Sequence, residues 1–181
     1  MPHIAPLSRY AATLRGQGRG SVLEFDPMDG GIDARALFLF EKPGPMTDES
    51  RSGGRTGSGF ISRDNDDRTA EATFRFMEEA AIPRRLTITW NIVPWWNGTR
   101  MISRVELQNG VRALEDLIAL LPDLRAIILV GRKAARARVI VKSGDIRLFE
   151  SAHPSPIVRA SRPELWKSIP NQWAEIMPLL R

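Results

Sequence analysis

The chain has 181 residues, 26 Lys and Arg against 21 Asp and Glu, a net charge of +5 and a hydrophobic share of 43%, which fits one compact domain with one core and is short for two. It has no Cys and two His, which excludes disulfides, Cys-ligated zinc, protein-bound iron–sulfur clusters and thiol nucleophiles, and nearly excludes a multi-histidine metal site. The basic balance favours a polyanionic partner.

No stretch reaches the roughly 18–20 apolar residues of a membrane span, and Met1–Gly20 lacks the apolar centre of a signal peptide, so a cytoplasmic protein is expected. Residues 1–33, with Arg9, Arg15, Arg19 and several Gly, read as an N-terminal segment wrapping the domain as irregular chain, with one short helix near Tyr10. Ala36–Phe40 is a continuous apolar run closed by Pro43-Gly44-Pro45, which suits a buried parallel strand. Pro43–Gly59, crowded with Gly, Ser and Arg, reads as a long functional loop. Asp67 is placed to cap a helix whose Ala70, Phe74, Met77 and Ala81 share one face and which ends at Pro83. Leu86–Val93, rich in β-branched residues, is the second strand. Ser103 and Glu106 have capping-box spacing ahead of Leu107, Val111, Leu114, Ile118 and Leu121, with Pro122 as the stop. Arg125–Val130 is the third strand, Gly131 opens a basic, Ala-rich helix, and Ile146–Phe149 is the fourth strand. Ser161, Pro163 and Glu164 mark a helix start, and Asn171 begins a last short helix with Trp173, Ile176, Met177 and Leu180 on one side.

Strands alternating with amphipathic helices predict a single α/β domain over residues 1–181: three layers, with a small, mostly parallel four-stranded sheet flanked by helices. Sites in such sheets lie beyond the carboxyl ends of the strands. After the first strand, Glu41-Lys42-Pro43-Gly44-Pro45 is either a rigid turn that lets another group approach closely or a plain strand-ending turn. Asn91, near Trp90, Trp95 and Trp96, reads as a turn former or as a hydrogen-bonding group. His153, in the loop Ser151–Pro156, is a surface residue or a catalytic one.

Taken in this order on these strand ends, the three segments resemble the uracil-DNA glycosylase superfamily. Phe40-Glu41-Lys42-Pro43-Gly44 is similar to that family's first motif, Gly-Glu-Ala-Pro-Gly, and Pro43-Gly44-Pro45 to its single-strand-selective branch. Thr87–Asn91 is similar to the family strand ending in an Asn that reads uracil, with one extra residue before the Asn, and His153-Pro154-Ser155-Pro156 matches the last motif in full. Ile127–Gly131 followed by Ala134-Ala135 looks like the family's third strand and Gly-turn-helix, so the resemblance spans about Ala36–Arg159.

The resemblance implies a monomeric DNA-repair hydrolase that flips a nucleotide out of single- or double-stranded DNA, cleaves the N-glycosidic bond of uracil, and releases uracil to leave an abasic site, without metal or other cofactor. It implies that Asn91 reads uracil O4 and N3–H, and that His153 donates to O2 as negative charge develops there. Phe60 would stack on the base, with a loop anchor as the alternative. Pro43 and Gly44 would shape the pocket. Ser155 and Pro156 would press into the minor groove with Ile157 as a wedge, and Arg159 would reach phosphate. Arg132 and Lys133 would bind phosphate at a helix start, while Arg136 and Arg138 suit a solvated face.

Lys42 stands where the most familiar branch has an Asp that orients water. The carboxylate would then be Glu41 first, Asp64 second, with Asp48 and Glu49 farther along the loop; helix capping is the alternative for Asp64, Asp66 and Asp67, and suits Asp67 better than Asp64. Lys42 itself would bind phosphate, or attack the sugar as an amine. Arg51–Arg63 borders the pocket and would grip the strand, and Trp95 and Trp96 offer either base-stacking surface or core. Branches with the Gly-Glu-Ala-Pro-Gly motif commonly carry a four-Cys iron–sulfur cluster, which a Cys-free chain cannot hold. Two competing readings remain: a non-catalytic sensor of uracil or abasic DNA on the same fold, and a small α/β hydrolase or nucleotide-binding protein, which lacks a P-loop and a Gly-x-Gly-x-x-Gly.

Overall fold

The computed structural model describes residues 1–44, 57–141 and 144–181. In chain order the elements are α1 (Ala5–Gly16), β1 (Ser21–Val22), β2 (Glu24–Phe25), β3 (Ala36–Phe40), β4 (Phe60–Ile61), α2 (Arg68–Glu79), β5 (Thr87–Asn91), β6 (Trp95–Trp96), α3 (Arg104–Ile118), β7 (Ala126–Val130), α4 (Arg132–Ala135), β8 (Arg147–Ser151), α5 (Pro156–Ser161), α6 (Pro163–Lys167) and α7 (Ile169–Ala174). No helix among the described residues is long and apolar enough to cross a membrane.

The main sheet has four strands in the order β5-β3-β7-β8, each pair parallel. β3, β5 and β7 are buried along their whole length, because helices cover both faces and an uninterrupted apolar run is what such a position requires. The strand alternation survives inside those runs. Leu37, Leu39, Ile88, Trp90, Ile127 and Leu129 face one core shared with α1 and α3. Ala36, Phe38, Phe40, Ala126, Ile128 and Val130 face another shared with α2 and α7. This is the expected three-layer α/β arrangement.

The caps hold the helices where the sequence places them. The Asp67 carboxylate accepts from the Thr69 and Ala70 backbone N–H groups at the start of α2, and Ser103 and Glu106 form the reciprocal capping box of α3. Gly110 in α3 lies so close to the Ile92 carbonyl that a Cβ would collide with it, so the glycine sets how near α3 comes to the end of β5.

Several expectations change. The first 33 residues are not mainly irregular: α1 puts Leu7, Tyr10, Ala11 and Leu14 into the main core, and Tyr10 donates to the Ala113 carbonyl at 2.7 Å. Phe25 stacks on Trp90 with ring centroids 3.8 Å apart. α2 buries Phe76 and Met77 while Phe74 is exposed, because Phe76 meets Trp166 and Trp173 edge-on; Ala81 lies beyond the helix with φ 53°. The second strand is shorter than Leu86–Val93, since Leu86 belongs to a 3₁₀ turn. α3 stops at Ile118, with Leu121 buried just after its end. The fourth strand is shifted toward Ser151, and α5, which begins at the last proline of the His-Pro-Ser-Pro run, is an additional helix.

Candidate active site

Because the four strands are parallel, their carboxyl ends lie along one edge of the sheet, and a cleft of about 840 Å³ opens there. Glu41, Lys42, Pro43, Gly44, Asn91, Arg132, Lys133, His153, Ser155, Pro156 and Ile157 all line it. Residues distant in sequence are thus brought together as their strand-end positions demand.

Glu41 follows β3, and its carbonyl accepts from the Val93 N–H at 3.0 Å, which pins its backbone to the end of the neighbouring strand. Its Oε1 accepts from Lys133 Nζ at 3.1 Å, and the same ammonium donates to the Arg100 carbonyl at 3.2 Å. Lys133 therefore holds a carboxylate before it holds any phosphate.

Asn91 ends β5 opposite Phe40 and is buried. Its Oδ1 has no hydrogen-bond partner among the described residues, and neither does Thr89 Oγ1. Two residues apart on one strand, they share a face, and both line the cleft. Leaving such atoms unpaired costs about 1–3 kcal/mol each, a cost that a ligand with complementary polar groups removes.

His153 packs edge-on against Phe40, ring centroids 5.5 Å apart. It rests on Gly131, whose φ of 86° and contact with the His153 ring exclude a side chain at that position. His153 Nδ1 is likewise buried and unpartnered among the described residues. Burial pushes its pKa below the ordinary histidine value, Glu41 opposes this, and Lys133 and Arg100 add to the lowering, so the ring is neutral at neutral pH. The loop around it is fastened from behind by α7: Gln172 Oε1 accepts from the Ala152 N–H at 3.0 Å, and Trp173 Nε1 donates to Ser151 Oγ at 2.9 Å. Ser155 caps α5, its Oγ accepting from the Val158 N–H, with Pro156 in the first turn and Ile157 fully presented to solvent at 78% exposure.

Other expected residues sit differently. The Lys42 ammonium is turned into the protein, where it donates to Asn97 Oδ1 (2.6 Å), Glu106 Oε1 (2.9 Å) and the Met101 carbonyl (3.2 Å). It is thereby unavailable as a phosphate ligand or nucleophile, and it ties the first turn of α3 to the end of β3. Burial works against the Glu106 charge, but the Ser103 N–H and Lys42 hold its pKa down to about 2. Phe60 lies outside the lining of the cleft: β4 pairs with β2, and alternation turns Ile61 inward, so Ile61 and Leu23 form the apolar wall. Asp64 is also outside it, in a forked pair with Arg84 at 2.8 and 3.2 Å. Arg84 joins Asp26 and Asp29 as well, and Arg63 meets Asp29 at 3.2 Å and Thr87 Oγ1 at 2.7 Å. Burial pushes the Asp29 carboxyl up to about 6, with Arg63 only partly offsetting it. Trp95 is core and neither it nor Trp96 lines the cleft; Arg159 lies over Trp166 beside it. Pro45, Asp48, Glu49 and Arg51 lie outside the described residues.

Thr89 and Arg100 line the cleft without having been singled out in the sequence. Period-2 spacing from Asn91 was the available signal for Thr89; Arg100 had none. With Arg68, Arg132 and Arg162 also on its walls, the cleft is strongly basic, suited to a polyanion.

Comparison with known proteins adds a family. A family model described as the uracil DNA glycosylase superfamily matches residues 27–175. No curated protein matches the chain.

Proposed function

The chain belongs to the uracil-DNA glycosylase superfamily, and on that footing we propose that it hydrolyses the N-glycosidic bond of uracil in DNA and leaves an abasic site. The observation that carries this reading is the set of unpartnered polar atoms, Asn91 Oδ1 and His153 Nδ1, on the lining of the cleft that also holds Glu41.

In this reading the nucleotide leaves the stack and its base enters the cleft. The Asn91 amide, one acceptor and one donor, pairs with uracil N3–H and O4. Thr89 supports that edge. Neutral His153 donates to O2 as the C1′–N1 bond breaks and its electron pair passes to the base, a preorganised interaction of about 3–4 kcal/mol by analogy with other oxyanion donors. Glu41 faces the cationic, oxocarbenium-like sugar and orients the water that adds to C1′, and Lys133 fixes that carboxylate in place. Ile157 fills the gap left in the duplex. The chain has no Cys, so the four-thiolate cluster of some branches has no ligands in it.

A second reading, a non-catalytic sensor of uracil or abasic DNA, draws on Lys42 in place of the Asp of the most familiar branch. Lys42 is engaged inward, and of the acids on the cleft lining Asp67 is taken up in capping α2, which leaves Glu41 for the carboxylate role and weakens that reading. Labelled uracil-containing oligonucleotides, single- and double-stranded, incubated with the protein and then treated with alkali, separate the two. New breaks at uracil are expected; binding without breaks would establish the sensor instead.

A further inference from the structure

Beside the His153 loop lies a second hollow of about 430 Å³, outside the cleft but adjoining it, since Arg68 and Pro156 line both. Its walls bring Arg68 and Arg75 from α2 together with Arg159 from α5 and Trp166 from α6. Trp166 is fixed by an edge-on contact with Phe76, ring centroids 4.7 Å apart. Over its ring lie two guanidiniums, Arg75 at 5.0 Å and Arg159 at 5.1 Å from the centroid. Three arginines thus share the hollow with Glu71, the only acid on its lining among the described residues, so the lining carries net positive charge.

We propose that this hollow is a second phosphate site, holding a backbone phosphodiester of the bound nucleic acid beyond the nucleotide in the cleft. The proposal rests on the nucleic-acid reading of the cleft and is independent of uracil hydrolysis. Arg75 gives its Nε to Glu79 at 3.3 Å, while Arg68 and Arg159 have no ion pair among the described residues. A guanidinium held over an aromatic ring still carries N–H donors that can contact an oxyanion. The Trp166 Nε1–H is buried and has no hydrogen-bond partner among the described residues. The ring that would otherwise stack a base is covered by cations, so the hollow reads charge rather than base identity. A strand leaving the cleft past Pro156 reaches it directly, whereas a free anion would gain nothing from that continuity.

The test uses undamaged DNA, which keeps it separate from catalysis. Binding of labelled thymidine oligonucleotides is followed by fluorescence anisotropy over a salt series, for the wild type, Arg159→Gln, Arg75→Gln and Arg75→Lys, since Arg159 and Arg75 line the hollow and not the cleft. On a long oligonucleotide each Gln variant should lower the slope of log K against log salt by about 0.7, the value of one single-strand phosphate contact. Arg75→Lys should recover most of it. On a trinucleotide, too short to occupy cleft and hollow together, the variants should match the wild type. Unchanged slopes on the long oligonucleotide, or equal losses on both lengths, overturn the proposal. Arg159 is exposed and has no ion pair among the described residues, so its variant decides the matter if Arg75→Gln is misfolded. Absence of cutting at uracil with a lowered slope would remove the hydrolase reading and leave this one standing.

Discussion

Lys133, just past β7, donates to Glu41, just past β3, at 3.1 Å, so one ion pair bridges the ends of two adjacent strands across the mouth of the cleft. A carboxylate held this way keeps one orientation, and the cation that holds it also bears on His153. The two acids singled out in the sequence, Glu41 and Asp64, thereby become distinguishable.

Glu41→Gln should lower the rate of uracil release by roughly a hundred- to ten-thousand-fold, the range for losing a positioned acid–base group. Asp64→Asn, which loses a half-exposed pair with Arg84, should cost stability of about 0.2–1 kcal/mol and little rate. Single-turnover kinetics on a uracil oligonucleotide compare them. A larger loss for Asp64→Asn would reverse the assignment.

Lys133→Gln should move the acid limb of the kcat/KM profile to higher pH. Burial is the main reason the His153 pKa is low, and Lys133 contributes to the lowering. Without that cation the ring protonates at a higher pH, and a reaction needing neutral His153 fails sooner on acidification. An unmoved limb would show that His153 is not the group titrating there.

Asn91→Asp should admit cytosine. A carboxylate accepts from the cytosine amino group but cannot donate to uracil O4, so the preference for uracil should fall by roughly a hundredfold or more. Alkali-labile breaks at cytosine in a normal duplex report it, and their absence would mean that Asn91 does not read that edge.

Lys42→Met should destabilise the fold by about 1.5–3 kcal/mol, the range for losing a hydrogen bond to a charged group, because it takes the buried ammonium from the partly exposed Glu106 carboxylate, which keeps the Ser103 N–H and Asn97 Nδ2. The sign of the pH effect follows from Glu106 being depressed from 4.5 to about 2. Its contribution is complete above pH 4.5 and is lost as pH falls toward 2. Urea unfolding at neutral and acid pH should show the variant losing less of its remaining stability across that window. A loss of activity at full stability would instead put Lys42 in the chemistry.

Asp29 runs the other way. Its carboxyl is raised from 3.8 to about 6, so the folded chain takes up a proton in that window before the unfolded chain does. Its contribution therefore favours folding as pH falls from about 6 toward 3.8 and is lost as pH rises through 6. Asp29→Asn should flatten that part of the stability profile in urea titrations; an unaltered slope would exclude Asp29 as its origin.

The strands of the main sheet were legible because their apolar runs are bounded by Pro and Gly, and α2 and α3 because Asp67 and Ser103 cap them. The strand-end residues Glu41, Asn91 and His153 followed from parallel topology. What escaped depends on partners far along the chain. The length of α1, expected only as one short helix near Tyr10, has no side-chain cap to mark it, and β1, β2, β4 and β6 are two residues each, too short for any period. The direction of Phe60 is set by pairing with Glu24, and that of Lys42 by Asn97 and Glu106. The Ser155-Pro156 pair did carry a helix-start signal for α5, hidden beneath its reading as a motif.

Gln172 and Trp173 hold the segment that carries His153, yet neither lines the cleft. A screen for lost activity would therefore score substitutions in α7 as defects of the site itself, although they touch no substrate. α7 serves as the mount for the group just past the end of β8, and conservative changes such as Gln172→Glu, which deprives the Ala152 loop of a neutral clamp, are the ones to watch when activity drifts without unfolding.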